Sequence, residues 1–163
     1  QEHSSAASDV YKRQDVVYVS IGGGGLISGI GSVLKAFSPK TRVVGVSAKN
    51  SAELAASIRA GKMVKVDHHE TLADGCAGGV DSDTITLGLG SEVIDDLIDC
   101  SEQQIKSGLQ QIAWSEKMLV EGSAGLAYAA WQEDAQKNKN KISAVVLCGA
   151  NFDKETLSPI VNS

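Results

Sequence analysis

The chain has 163 residues, 42% hydrophobic and 21% charged, an ordinary balance for one globular domain with a real core. A net charge of -5 and a sequence pI of ≈ 5.1 argue against a nucleic-acid or anionic-membrane surface, and no apolar run approaches the ~18–20 residues that cross a bilayer. Three widely spaced cysteines (Cys76, Cys100 and Cys148) without a CxxC fit neither a disulfide framework nor a zinc knuckle, and no signal peptide opens the sequence, so a cytoplasmic protein is expected.

Residues 1–14 (QEHSSAASDVYKRQ) are polar, lack a starting methionine and carry no period. They read as an extraneous or disordered tail ahead of a domain spanning residues 15–163. Residues 15–21 (DVVYVSI) form a β-branched run of strand length. Gly22, Gly23, Gly24 and Gly25 follow, and then Leu26, Ile30, Val33, Leu34 and Phe37 recur at helical spacing until Pro39. Residues 41–47 (TRVVGVS) predict a second buried strand, and residues 51–60 a helix stopped by Gly61. Residues 62–80 are turn-rich and include the glycine cluster ADGCAGG at 73–79, while residues 82–96 are mixed. A helix is expected from Asp99 or Ser101, because Ser101-x-x-Gln104 is a capping box, with Ile105, Leu109, Ile112 and Leu119 as its apolar stripe. Another helix is expected over 125–137, a polar loop over 137–141, and a last buried strand over 143–147 that ends at Cys148, Gly149, Ala150 and Asn151.

Continuous apolar strands alternating with helices predict an α/β fold, an open, mainly parallel sheet with helices on both faces. Ligands of such sheets sit off the carboxyl ends of the strands. The glycine run and the 148–151 segment both fall at such ends, so two separate segments point to one crevice. Four successive glycines between a strand and a helix remove every Cβ, which lets backbone N–H groups and the positive helix end close around phosphate oxygens. The run is neither a P-loop nor a GxGxxG in any register. A plain strand-to-helix turn with spare glycines is the structural alternative.

SIGGGGLISGI is similar to the phosphate loop of fold-type II pyridoxal-phosphate (PLP) enzymes, the tryptophan-synthase-β-like group. TLADGCAGG resembles the cofactor-facing loop of the serine/threonine dehydratases and serine racemases of that group, VEGSAGLAYAA their stretch beside the pyridine ring, and VVLCGAN their closing strand. The resemblance implies the C-terminal, cofactor-cradling part of the fold-type II fold and PLP as cofactor. Gly22, Gly23, Gly24, Gly25 and Leu26 would hold the phosphate, with Glu121 near the ring and Cys148, followed by Gly149, at the ring nitrogen. Glu121 reads equally as a charge at a helix N-terminus, Cys148 also as a small buried apolar residue, and Asp74 and Gly75 chiefly as loop-shaping. The activity implied is a threonine or serine ammonia-lyase, a lyase that eliminates water and releases a 2-oxo acid and ammonia. A neutral thiol beside the ring nitrogen leaves a weaker electron sink, which favours prompt elimination over transamination. The implied partners are an amino-acid substrate and, for the full-length protein, further copies of itself. A serine racemase-like enzyme and a non-catalytic phosphate- or PLP-binding module are the alternatives.

The sequence departs from the family at the chemistry. The Schiff-base lysine of the S-[FY]-K-x-R-G motif is absent, as are the segments that hold the PLP hydroxyl and the substrate carboxylate. Lys12 lies in VYKRQ without the flanking serine and glycine, and Lys35, Lys106 and Lys117 read as helix-surface charges. No catalytic residue is therefore assigned, and the chain alone is expected to be inactive. Some relatives bind a divalent cation through a Glu just after the second strand and an acidic residue six positions on. Here those positions are Ser47 and Glu53, and no metal is expected. His68-His69-Glu70 is not HExxH and is expected as a solvated turn. The given sequence stops soon after Pro159 without the C-terminal regulatory domain of biosynthetic threonine dehydratases, so a catabolic type is expected, though a truncated end would read the same.

Overall fold

The structure is a computed structural model that describes residues 14–162. The expected tail therefore lies outside the described residues except for Gln14, whose carbonyl accepts a 2.8 Å hydrogen bond from Thr41, and so does Lys12. Four strands, β1 (Val16–Ser20), β2 (Arg42–Ala48), β3 (Asp96–Cys100) and β4 (Ser143–Val145), form one parallel sheet in the order β3-β2-β1-β4. Its register runs Val16 against Arg42 and Ser143, and Val44 against Asp96. Six α-helices accompany it: α1 (Gly25–Phe37), α2 (Glu53–Ala60), α3 (Thr86–Val93), α4 (Glu102–Gln111), α5 (Gly122–Asp134) and α6 (Lys154–Val161). Among the described residues no helix is long and apolar enough to cross a membrane.

The period of two along each strand divides the core. Val16, Tyr18, Val44 and Val46 point to one face and pack with Ile105 and Leu109 of α4, Ala124 and Leu126 of α5, and Leu157 and Ile160 of α6. Val17, Val19 and Val43 point to the other face and meet Ile27 of α1, Leu54 of α2 and Leu87 of α3. The central strands are buried on both faces, which is why their sequence reads as an unbroken apolar run. Helices thus cover both sides of a parallel sheet, in the architecture the sequence implied.

At four places the structure differs from the sequence reading. The pattern missed β3, because DLIDC places charged residues along an edge strand, where Asp96 and Asp99 pair with Arg42 at 2.7 Å and Arg59 at 2.8 Å. The following helix starts after Ser101 with both halves of the expected capping box formed. The mixed 82–96 stretch holds α3, whose two glycines hide its period. Gly90 suits close packing, since a Cβ there would come within 3.0 Å of Ile58. The stripe proposed to run to Leu119 ends early, since α4 gives way to a π-turn at Ile112–Glu116 and Lys117 turns left-handed at φ 58. Leu119 is left 55% exposed. Finally, α6 had not been expected, and Pro159 lies within it.

At the amino ends of the strands, the buried Asp134 accepts hydrogen bonds from Tyr18 at 3.0 Å and Asn138 at 2.9 Å, and pairs with Arg42. Burial alone would raise the Asp134 carboxyl, but the hydrogen bonds from Arg42, Asn138 and Tyr18 outweigh it and hold the group below its ordinary value. This network ties β1, β2 and α5 together at the end of the sheet opposite the glycine run.

Candidate cofactor site

The last sheet tie of β1 is Ile21, whose N–H donates to Val46 at 2.7 Å, and the four glycines then leave the sheet. They do not serve one purpose. Gly24 caps α1 in the left-handed region at φ 83, and a Cβ there would lie 2.4 Å from Leu54 and 2.9 Å from Thr86, so the fold itself demands glycine. A Cβ at Gly22 would press on Cys76 at 3.1 Å. At Gly23 and Gly25 a Cβ meets no protein atom within 4 Å, and both line a cavity of ≈ 240 Å³ at the carboxyl ends of β1 and β4. There a side chain would meet open space, so packing does not demand glycine. The first N–H groups of α1 have no partner inside the helix and add their dipole at the same place.

Leu26, Gly75, Glu121 and Cys148 join the glycines on the wall of this cavity. Glu121 is the N-cap residue of α5, yet its side chain makes no capping hydrogen bond. Its carboxylate instead accepts the Asn151 N–H at 3.1 Å, while its own N–H donates to the Gly149 carbonyl at 3.1 Å. A Cβ at Gly149 would come within 2.5 Å of that carboxylate, and one at Gly75 within 3.3 Å of it and 2.9 Å of the Ser123 hydroxyl. Gly149 is not itself on the cavity wall and stands behind Glu121. The two glycines let the 73–76 turn and the 148–151 segment close on one carboxylate. Gly122 must be glycine for a related reason, since a Cβ there would sit 1.6 Å from the Leu72 carbonyl oxygen.

Desolvation by the cavity wall pushes the Cys148 thiol up from its ordinary value, and Glu121 acts in the same direction. Cys76 is raised chiefly by burial. Both groups are neutral thiols near pH 7. Ser20, Cys76 and Ser123 also line the cavity, and the sequence reading had not singled them out. Ser20 donates to the Ser123 carbonyl at 2.6 Å and so fastens the end of β1 to the first turn of α5. Cys76 and Ser123 lie inside the ADGC and VEGS motifs, so their position was signalled there. Ser20 opens the SIGGGGLISGI motif, at the end of an apolar strand. Among the described residues no lysine lines the cavity. A larger cavity of ≈ 440 Å³ lies beside β4, walled mainly by apolar side chains including Ile112, Tyr128, Trp131, Val145 and Leu147.

The donor set fits PLP: backbone N–H groups on open glycines for an anion, with a neutral thiol and a carboxylate on the same cavity wall. The sequence profile described as "Pyridoxal-phosphate dependent enzyme" matches residues 4–149. The chain belongs to that family. This PLP-enzyme chain is 32% identical over 148 residues to the L-threonine ammonia-lyase of Thermotoga maritima, a match covering 91% of the chain and 36% of the relative. It is 32% identical over 141 residues to the serine racemase of Schizosaccharomyces pombe, covering 86% and 43%. The processed form of threonine deaminase isoform 2 from Solanum lycopersicum superimposes with a TM-score of 0.84 at 26% identity, over 97% of the chain and 46% of that structure. The chain therefore spans less than half the length of these relatives.

Proposed function

We propose that residues 15–163 form the cofactor-cradling part of a PLP-dependent threonine/serine ammonia-lyase. The observation that carries this is the convergence of the glycine run, the 73–76 turn, Glu121 and Cys148, from four separate stretches of sequence, on one cavity at the carboxyl ends of β1 and β4. The dehydratase-type relatives support the substrate class, a small hydroxyamino acid such as threonine or serine.

PLP, when bound, supplies the electron sink that lets an amino acid lose its α-proton and its β-hydroxyl. The residues of this chain hold and orient it. Backbone N–H groups of Gly22 through Leu26 and the positive end of α1 would take the phosphate. Cys148 would offer the ring nitrogen a neutral thiol, which supplies no counter-charge. Glu121 ties the 148–151 segment through Gly149 and Asn151 and would stand beside the ring. The Schiff-base lysine comes from no described residue of the cavity wall, so the chain alone is expected to produce no 2-oxobutanoate from threonine with added PLP.

A chimera tests the reading. The lysine-bearing front segment of a threonine dehydratase is joined to this chain, and 2-oxobutanoate from L-threonine, pyruvate from L-serine and D-serine from L-serine are measured. Release of 2-oxo acid supports the lyase. Formation of D-serine as the main product would favour the racemase reading, which rests on the Schizosaccharomyces pombe relative. PLP binding without turnover would favour a binding module.

A further inference from the structure

The two positions at which the family resemblance located a divalent cation are Ser47 and Glu53. Ser47 is 1% exposed and offers a hydroxyl in place of a carboxylate. The Glu53 side chain, at the start of α2, is also 1% exposed, and both of its oxygens are engaged. Oε1 accepts the Val80 N–H at 2.9 Å and the Lys65 ammonium at 3.1 Å. Oε2 faces His68 Nε2 at 3.0 Å. The other ring nitrogen of His68 lies 2.8 Å from the Ser51 hydroxyl, which accepts the Gly78 N–H at 3.0 Å.

With the proton on Nε2, these bonds run in one direction, from the Gly78 amide through Ser51 and the imidazole to Glu53, and every group is used once. A hard cation asks for six or more oxygen ligands with free lone pairs. Here one carboxylate is present, and its lone pairs already face two side-chain donors and an amide. Among the described residues no group of three or more His, Cys, Asp or Glu side chains is placed to hold a metal ion. His68 is exposed like His69 and Glu70, as the sequence suggested, but its ring is engaged on both nitrogens.

We propose that the chain carries its own cation in place of a divalent metal: the Lys65 ammonium, assisted by the Ser51–His68 relay, neutralises Glu53 and clasps the segment from Lys65 to Val80 onto the start of α2. That segment bears Gly75 and Cys76 on the cavity wall. The loop is therefore anchored without metal, and the chain does not respond to divalent ions.

The test uses the 163-residue chain without PLP, so its result is independent of the proposed activity. Thermal melts are recorded with EDTA and with millimolar Mg²⁺, Ca²⁺ or Mn²⁺, and Mn²⁺ binding is followed by electron paramagnetic resonance. The expected result is a Tm that stays within about 1 °C in all conditions and no saturable Mn²⁺ binding. The double variant Lys65→Met/His68→Leu, which strands a buried carboxylate, should melt lower by about 5 °C or more. If that variant does not fold, Lys65→Arg serves, because it keeps the charge and should melt near wild type. Saturable Mn²⁺ binding to the wild type that Glu53→Gln removes, or a Tm raised by about 3 °C or more by any of the ions, would overturn the proposal. So would a double variant that melts like wild type.

Discussion

Gly23 and Gly24 are neighbours in one loop, and alanine at each should produce opposite results. At Gly24 the new methyl meets two costs. The left-handed backbone at φ 83 costs a side-chain-bearing residue about 1–2 kcal/mol. Overlap with Leu54 at 2.4 Å and Thr86 at 2.9 Å adds about 1–3 kcal/mol, with some relief from the flexible Leu54 end. A combined loss of about 2–4 kcal/mol corresponds to a Tm lowered by roughly 5–15 °C for a chain of this size. At Gly23 no protein atom lies within 4 Å of the methyl, so stability should change by less than about 0.5 kcal/mol. The methyl would enter the cavity where the phosphate is proposed to sit, and PLP affinity should fall about tenfold or more, the equivalent of ~1.4 kcal/mol. Differential scanning fluorimetry reads the first quantity, and a PLP titration by tryptophan fluorescence the second. A Gly23→Ala chain that melts low yet binds PLP normally would show that the run serves the turn alone, and the anion-site reasoning would fail.

Other positions give sharp expectations. Gly122→Ala forces a methyl into the Leu72 carbonyl and should abolish soluble expression, whereas Gly25→Ala, open to the cavity, should not. Asp134→Ala takes the acceptor from the Tyr18 hydroxyl and one partner each from Asn138 and Arg42, which keep others, and should cost about 3–5 kcal/mol in urea melts, against about 1 kcal/mol for Tyr18→Phe. The Glu53 carboxyl is lowered to about 2, chiefly by the Val80 N–H and further by His68 and Lys65. A depressed carboxylate stabilises the fold above its ordinary value of 4.5, and that contribution is lost as pH falls toward 2. Tm should therefore drop between about pH 5 and about pH 2, and the drop should be smaller in Glu53→Gln. Cys100, pushed up to about 12 by burial first and by Glu133 and Asp99 second, should resist thiol reagents in the folded chain, while the exposed Cys148 should be labelled first.

Much of this molecule was legible in its sequence because its central strands are buried on both faces. VVYVS and RVVGVS announce themselves through composition alone, and the glycines after them mark where backbone leaves the sheet. The capping box narrowed a helix start to Asp99 or Ser101, and Ser101 is the N-cap. Elements at the margin were harder to read. An edge strand such as DLIDC keeps its acids for arginines that only the fold brings near, and α3 trades helix propensity for glycine-mediated closeness. The candidate site shows the same division. Its glycines, Glu121 and Cys148 stand in local motifs, but Ser20 and Ser123 meet across a hydrogen bond spanning over a hundred positions of sequence. The clasp on Glu53 was invisible for a similar reason, because an exposed lysine and histidine in a polar stretch carry no sign of the buried carboxylate that α2 brings to them.

The sheet order also sets a timetable for folding. β1 pairs with β2 after a single helical crossover, but its other neighbour is β4, and the Ile142 N–H that reaches Asp15 lies 127 positions away. During synthesis, β1 is among the first described segments to emerge, and β4 among the last. Until β4 arrives, the most buried strand of the molecule has one bare row of amides and carbonyls. Closing so long a loop for only three residue pairs is entropically slow to nucleate. Misfolding should concentrate in that interval, and refolding yields should improve when the chain is diluted or offered a chaperone that shields the waiting edge of β1.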